Sequence, residues 1–149
     1  MKRAVAVVTI GVLVLLAAAV AQEKGLKVKD LPPAVQKTVQ EQLKGAELKG
    51  LSQATEKGKT IYELETTVNG KGRDLLIDAT GAVLEVEEAT TLEAIPPAAK
   101  AAIEKAAAGG RIKTVEILTK GGKATYEAAI TKGGKNSEVQ VTADGAVVK

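Results

Sequence analysis

The chain has 149 residues, with 21 basic and 18 acidic side chains, two tyrosines as its only aromatics, and no cysteine or histidine. Those absences remove disulfides, thiolate and imidazole metal ligands, and the usual Ser–His and Cys–His nucleophile pairs. With no Phe or Trp to stack on bases, and a net charge of +1 once residues 1–21 are set aside, nucleic acid is not an expected partner.

The chain opens on a basic pair, Lys2-Arg3, followed by an uncharged apolar run from Ala4 to Val20. Ala19-Val20-Ala21 then supplies small residues ahead of Gln22. This order predicts a signal peptide over 1–21, cut after Ala21, and so a secreted or periplasmic protein. The apolar run sits at the short end of the ~17–25 residues a spanning helix needs. No stable membrane anchor is therefore expected after cleavage.

Leu31-Pro32-Pro33-Ala34 marks a helix start, because the first helical turn has no use for the amide donors that proline lacks. Val35, Val39 and Leu43 follow at four-residue spacing and form one apolar stripe. Gly45 suits the left-handed turn that ends a helix. Leu48 to Ala54 reads as a strand whose apolar spacing of three points to a bulge or a bend at its start. Lys57-Gly58-Lys59 turns the chain into a second strand, Thr60 to Val68, with Tyr62, Leu64 and Val68 on one face and Glu63 and Glu65 on the other. Asn69-Gly70 is a hairpin pair, and Leu75 and Ile77 lie in a third strand. The turn Asp78-Ala79-Thr80-Gly81 leads to a fourth strand over 82–86. Glu87 to Glu93 reads as a short acidic connector that continues in ordered structure.

The pattern then returns 64 residues later without a gap. Ile95-Pro96-Pro97-Ala98 echoes the helix start, and Ala99, Ile103 and Ala107 form its stripe. Gly109 stands for Gly45, Gly122-Lys123 for Gly58-Lys59, Tyr126-Glu127 for Tyr62-Glu63, and Gly145-Ala146-Val147 for Gly81-Ala82-Val83. The expected fold class is α+β, with two tandem repeats, each one helix packed on a four-stranded antiparallel sheet. The expected organisation is a signal peptide at 1–21, repeat one at 22–89 and repeat two at 90–149. The outer charges drift between the copies, from a net −1 over 31–85 to +4 over 95–149.

The order of these features resembles the PepSY-like family, including its branch similar to beta-lactamase inhibitory protein. The residues that carry the resemblance are the Leu-Pro-Pro helix start, Gly45, Tyr62-Glu63 after the Gly-Lys turn, and the segment from Ile77 to Leu84. The resemblance implies a cell-envelope or secreted protein that binds other proteins, in some cases restraining proteases.

Candidate chemistry in the residues is sparse. Ser52 and Ser137 are the only serines and are not at equivalent repeat positions. Paired acids can hydrolyse glycosides. Glu63 and Glu65 share a face, with Asp74 and Asp78 on the next strand, but a solvated face balanced by Lys59, Lys71 and Arg73 is the favoured reading. Asp78 and Asp144 lack the dense oxygen spacing of a calcium loop. The turns around Gly58 and Gly121-Gly122 do not open a helix as a phosphate-binding loop does. Tyr62 and Tyr126 are either binding anchors or, as preferred here, core residues beneath each helix. No catalytic, cofactor or metal residue is assigned, and no cofactor is expected. The expected function is that of a non-catalytic protein-binding module, not an enzyme, with a protease or envelope protein as partner. The alternative is an accessory envelope protein that senses or sequesters a small ligand or cation.

Overall fold

A computed structural model describes residues 26–148, so the expected signal peptide lies outside the described residues. A short 3-10 turn at Val28–Asp30 leads into helix α1 (Pro33–Gln42). Strands β1 (Glu47–Glu56), β2 (Lys59–Val68), β3 (Lys71–Asp78) and β4 (Val83–Thr90) follow. Helix α2 (Pro97–Ala107) and strands β5 (Arg111–Lys120), β6 (Lys123–Lys132) and β7 (Lys135–Val141) complete the chain.

The helix starts are set by their prolines. Pro32 and Pro96 are extended, at ψ 146° and 141°, and their carbonyls accept the first helical bonds from the Gln36 and Lys100 amides, each at 2.9 Å. Each start also rests on a glycine from the far end of its own half. Gly81 and Gly145 both sit at φ +84°, and a Cβ added there would meet the carbonyl oxygen of Ala34 at 2.6 Å or of Ala98 at 2.7 Å. Only a residue without a side chain allows the turn to approach the helix that closely.

The expectation of two separate four-stranded sheets is wrong. The seven strands form one continuous antiparallel sheet in the order β1-β2-β3-β4-β5-β6-β7. The join is made by β4 and β5, which pair from Glu85↔Lys120 to Thr90↔Val115. The physical reason is that each half alone would expose an unpaired strand edge, and pairing the two edges removes both from solvent. The supposed connector at 87–93 supplies part of this join, since β4 runs on to Thr90. The expected eighth strand over 146–148 is reduced to an isolated bridge between Val141 and Val147.

Local geometry recurs at the 64-residue interval. Register slips between Leu48 and Gly50 in β1 and between Ile112 and Thr114 in β5, leaving Lys49 and Lys113 as the extra residues of bulges where the spacing allowed a bulge or a bend. Both helices pack on one side of the sheet and define two apolar clusters. The first gathers Val35, Val39, Leu51, Tyr62, Leu64, Leu75 and Ile77. The second gathers Ile95, Ala99, Ile103, Val115, Ala128 and Val141. Tyr62 is 6 % exposed and lies within its cluster, whereas Tyr126 is partly buried against the second. The other side of the sheet carries no helix.

Candidate functional site

Strand residues alternate between faces, so the register fixes what stands on the helix-free side. Leu64 pairs with Leu75 and faces α1, which sends its neighbours Glu63 and Glu65 to the opposite face. Glu65 pairs with Asp74, and Asp74 pairs with Glu87, so one row across β2, β3 and β4 is acidic throughout. Glu85 stands two residues before Glu87 on the same face. Across the join, Glu116 pairs with Glu127, and Ala129 pairs with Glu138. Eight carboxylates from six strands thus share one sheet face: Glu63, Glu65, Asp74, Glu85, Glu87, Glu116, Glu127 and Glu138.

Like charges directly opposite one another destabilise a sheet. Little here relieves them. Lys120 Nζ reaches Glu85 Oε2 at 3.0 Å. Among the described residues no lysine or arginine forms an ion pair with Glu65, Asp74 or Glu87. Two of the three cations expected to balance this face, Arg73 and Lys71, point the other way. Arg73 neighbours Asp74 in sequence, so it points to the helix side, where its guanidinium donates to Gln42 Oε1 at 2.8 Å and lies 3.8 Å from Glu88. Lys71 shares that parity. Lys59 lies at the start of β2, where it acts on Asp78.

The acids are also partly removed from water. Glu85, Glu87 and Glu116 are 8 %, 9 % and 7 % exposed. Glu65 folds over Gly50, where an added Cβ would meet its Oε2 at 2.8 Å. Leu118, on the same face beside Glu87, is itself buried. Burial and the neighbouring charges of Glu116, Glu85, Glu127 and Asp74 push the Glu87 carboxyl up to about 8. Burial, then Glu138, Glu116 and Glu85, push Glu127 up to about 7. Asp74 is raised by burial and then by Glu65, and Glu116 by burial and then by Asp74 and Glu138. Glu87 Oε1 is fully buried with no hydrogen-bond partner, and it is the sole side-chain atom in that condition among the described residues.

The other sequence candidates are not brought together. Ser52 donates to Glu63 Oε2 at 3.4 Å, while Ser137 is exposed on β7 across from Ile130. Asp78 serves its own turn, accepting from the Thr80 amide and hydroxyl at 2.8 and 2.6 Å and from the Ala82 amide at 3.1 Å. These bonds, the Thr80 hydroxyl first, hold its carboxyl below the usual range. Asp144 is lowered in the same way by the Thr142 hydroxyl. The glycine turns at Gly58 and Gly121-Gly122 join the hairpin strands β1–β2 and β5–β6. Among the described residues no group of three or more acidic side chains is arranged to hold a metal ion, and no helix is long and apolar enough to cross a membrane.

Sequence reasoning found Glu63, Glu65 and Asp74 but missed Glu85, Glu87, Glu116, Glu127 and Glu138 as members of the same face. The alternation Leu84-Glu85-Val86-Glu87 was the available signal, and reading it as a strand end followed by a connector hid it.

No family model matches the sequence, and no curated protein matches it. Solved structures do share the fold. A candidate periplasmic protein from Bacteroides eggerthii is 15 % identical, with a TM-score of 0.66 over 80 % of this chain and 86 % of its own. A DUF2874 family protein from Bacteroides ovatus is also 15 % identical, with a TM-score of 0.63 over 80 % and 85 %. A BLIP-like protein from Bacteroides fragilis is 17 % identical, with a TM-score of 0.59 over 80 % and 84 %. The chain therefore has a BLIP-like fold. None of these neighbours carries the PepSY-like name.

Proposed function

We propose that this chain is a secreted or periplasmic, non-catalytic protein-binding module that receives its partner on the helix-free face of the sheet, and that an enzyme such as a protease is the kind of partner it restrains. The observation that carries the reading is Glu87, a buried carboxyl with an unpartnered oxygen in the middle of a like-charged face. Leaving such an oxygen unpaired costs about 1–3 kcal/mol. A fold optimised for stability alone would place an apolar or paired side chain there. The apolar run before Gln22 and the periplasmic candidates of the same fold support export. The BLIP-like neighbour supports protein binding.

A photo-crosslinking amino acid placed on the helix-free face at Thr67 or Ala129, and on the helix side at Lys37 or Ala101, tests the face in envelope extract. A discrete adduct from the first two positions alone is expected. Adducts from the helix positions alone would overturn the reading. Turnover of any substrate by the purified protein would remove its non-catalytic part.

A further inference from the structure

We infer that the partner is a basic protein segment that lays an arginine across the Glu65–Asp74–Glu87 row, with the Glu87 carboxylate as the group that receives the guanidinium. The inference rests on the binding face proposed above and adds the chemistry of what covers it.

Three observations converge on that chemistry. The register aligns three carboxyl groups on consecutive strands, at the 4.7–4.9 Å strand spacing typical of a sheet. A planar guanidinium with five donors can bridge neighbouring carboxylates at that spacing, whereas an ammonium is a point charge. Glu87 Oε1 is an acceptor already removed from water and without a donor. A guanidinium reaches it when the Glu87 side chain turns outward along the row, which exchanges an unpaired buried oxygen for a charge-assisted contact. Finally, the row lacks a cation of its own, although Arg73 is adjacent to Asp74 in sequence and turned to the other face.

The groups that face Glu87 define how the contact responds to pH. They are Asp74 from β3, Glu85 from its own strand, Glu116 and Lys120 from β5, and Glu127 from β6, with Glu65 one strand further along the row. All but Lys120 are acidic, and Lys120 is paired with Glu85. The raised Glu87 carboxyl holds its proton near neutrality. A guanidinium favours the carboxylate, so binding transfers that proton to the buffer. A divalent metal is a poorer occupant, because the acids form a row and not a closed oxygen cage.

The test uses the full chain and a short peptide alternating arginine with alanine, followed by titration calorimetry at pH 7 in two buffers of different ionisation enthalpy. Saturable 1:1 binding with proton release to the buffer is expected. Glu87→Gln and Asp74→Asn should each weaken it at least tenfold, while Glu41→Gln on the far side of α1 should leave it unchanged. The matched lysine peptide should bind at least fivefold more weakly. Circular dichroism shows that each variant is folded, and if Glu87→Gln does not fold, Asp74→Asn decides. No saturable binding, equal loss in Glu41→Gln, or undiminished binding in the face variants would overturn the inference. Those failures leave the proposed face intact if crosslinks still form at Thr67 or Ala129. Absence of those crosslinks rejects the face itself.

Discussion

Asp74 and Glu87 are register partners on adjacent strands, and both carboxyl groups stand on the helix-free face. Opposite charges or an apolar contact would stabilise such a position, and like charges destabilise it. Here two acids face each other, Glu65 extends the row on one side, and the cations nearest in sequence are turned away. The fold carries a standing electrostatic cost at this place, and several measurements can read it.

Stability should fall as pH rises. A carboxyl whose folded pKa is raised keeps its proton in the folded state while the unfolded chain gives it up. Its contribution is fully present below the unfolded value near 4.5 and is lost as pH rises through the folded value, about 8 for Glu87 and about 7 for Glu127. Thermal denaturation between pH 4.5 and 8.5 should show a falling Tm, with a loss on the order of 3 kcal/mol from Glu87. A Tm that climbs across this window would contradict the assignment.

Glu87→Gln should remove most of that slope. The substitution keeps the shape, deletes the charge and supplies an amide donor. At pH 8 we expect a gain of about 2–3 kcal/mol, and at pH 4.5 almost no difference. Urea midpoints at the two pH values measure both. The same variant is expected to lose the arginine peptide, so a gain in stability accompanies a loss in binding.

Gly81→Ala and Gly58→Ala should separate strain from crowding. Both glycines have positive φ, +84° and +76°. Only Gly81 is also pressed against the Ala34 carbonyl, while Gly58 has open space around it. Gly58→Ala should cost about 1 kcal/mol for the left-handed backbone. Gly81→Ala should cost at least about 2 kcal/mol more, because the helix start must move. Equal midpoints for the two would show that the turn does not bear on the helix.

Tyr62→Ala should destabilise the protein by about 3 kcal/mol through the cavity it leaves beneath α1. Binding by the protein that remains folded should be unchanged, since Tyr62 lies on the helix side of the sheet. Lost binding with an unaltered Tm would instead make the tyrosine a contact residue.

Local structure was legible where a single residue type is required. Pro32-Pro33 and Pro96-Pro97 marked the helix starts, the three-residue apolar spacing marked a bulge or bend at the start of β1 and β5, and the glycine pairs marked the hairpins. The sheet as a whole was not legible, because the pairing of β4 with β5 leaves no local signature. Glu85 to Thr90 read as a strand end and an acidic connector. Their role as a central strand appears only with Lys120 to Val115 beside them. The acidic face was hidden for the same reason. Each strand shows one or two acids, as any solvated strand does, and only the register across six strands makes them neighbours. Arg73 and Lys71 misled in the opposite sense: adjacency in sequence suggested neutralisation, while strand parity carried them to the other side.

The β4–β5 join also determines where ownership of the acidic face lies. Glu87 belongs to the first half of the chain, but Glu116, Glu127 and Leu118, which enclose it, belong to the second. Asp74 owes its raised carboxyl to burial and to Glu65 of its own half, but the Glu87 carboxyl also feels Glu116 and Glu127 from across the join. The unusual carboxyl is a product of the seam, and a change that loosened the two halves would erase it without altering a residue of the row.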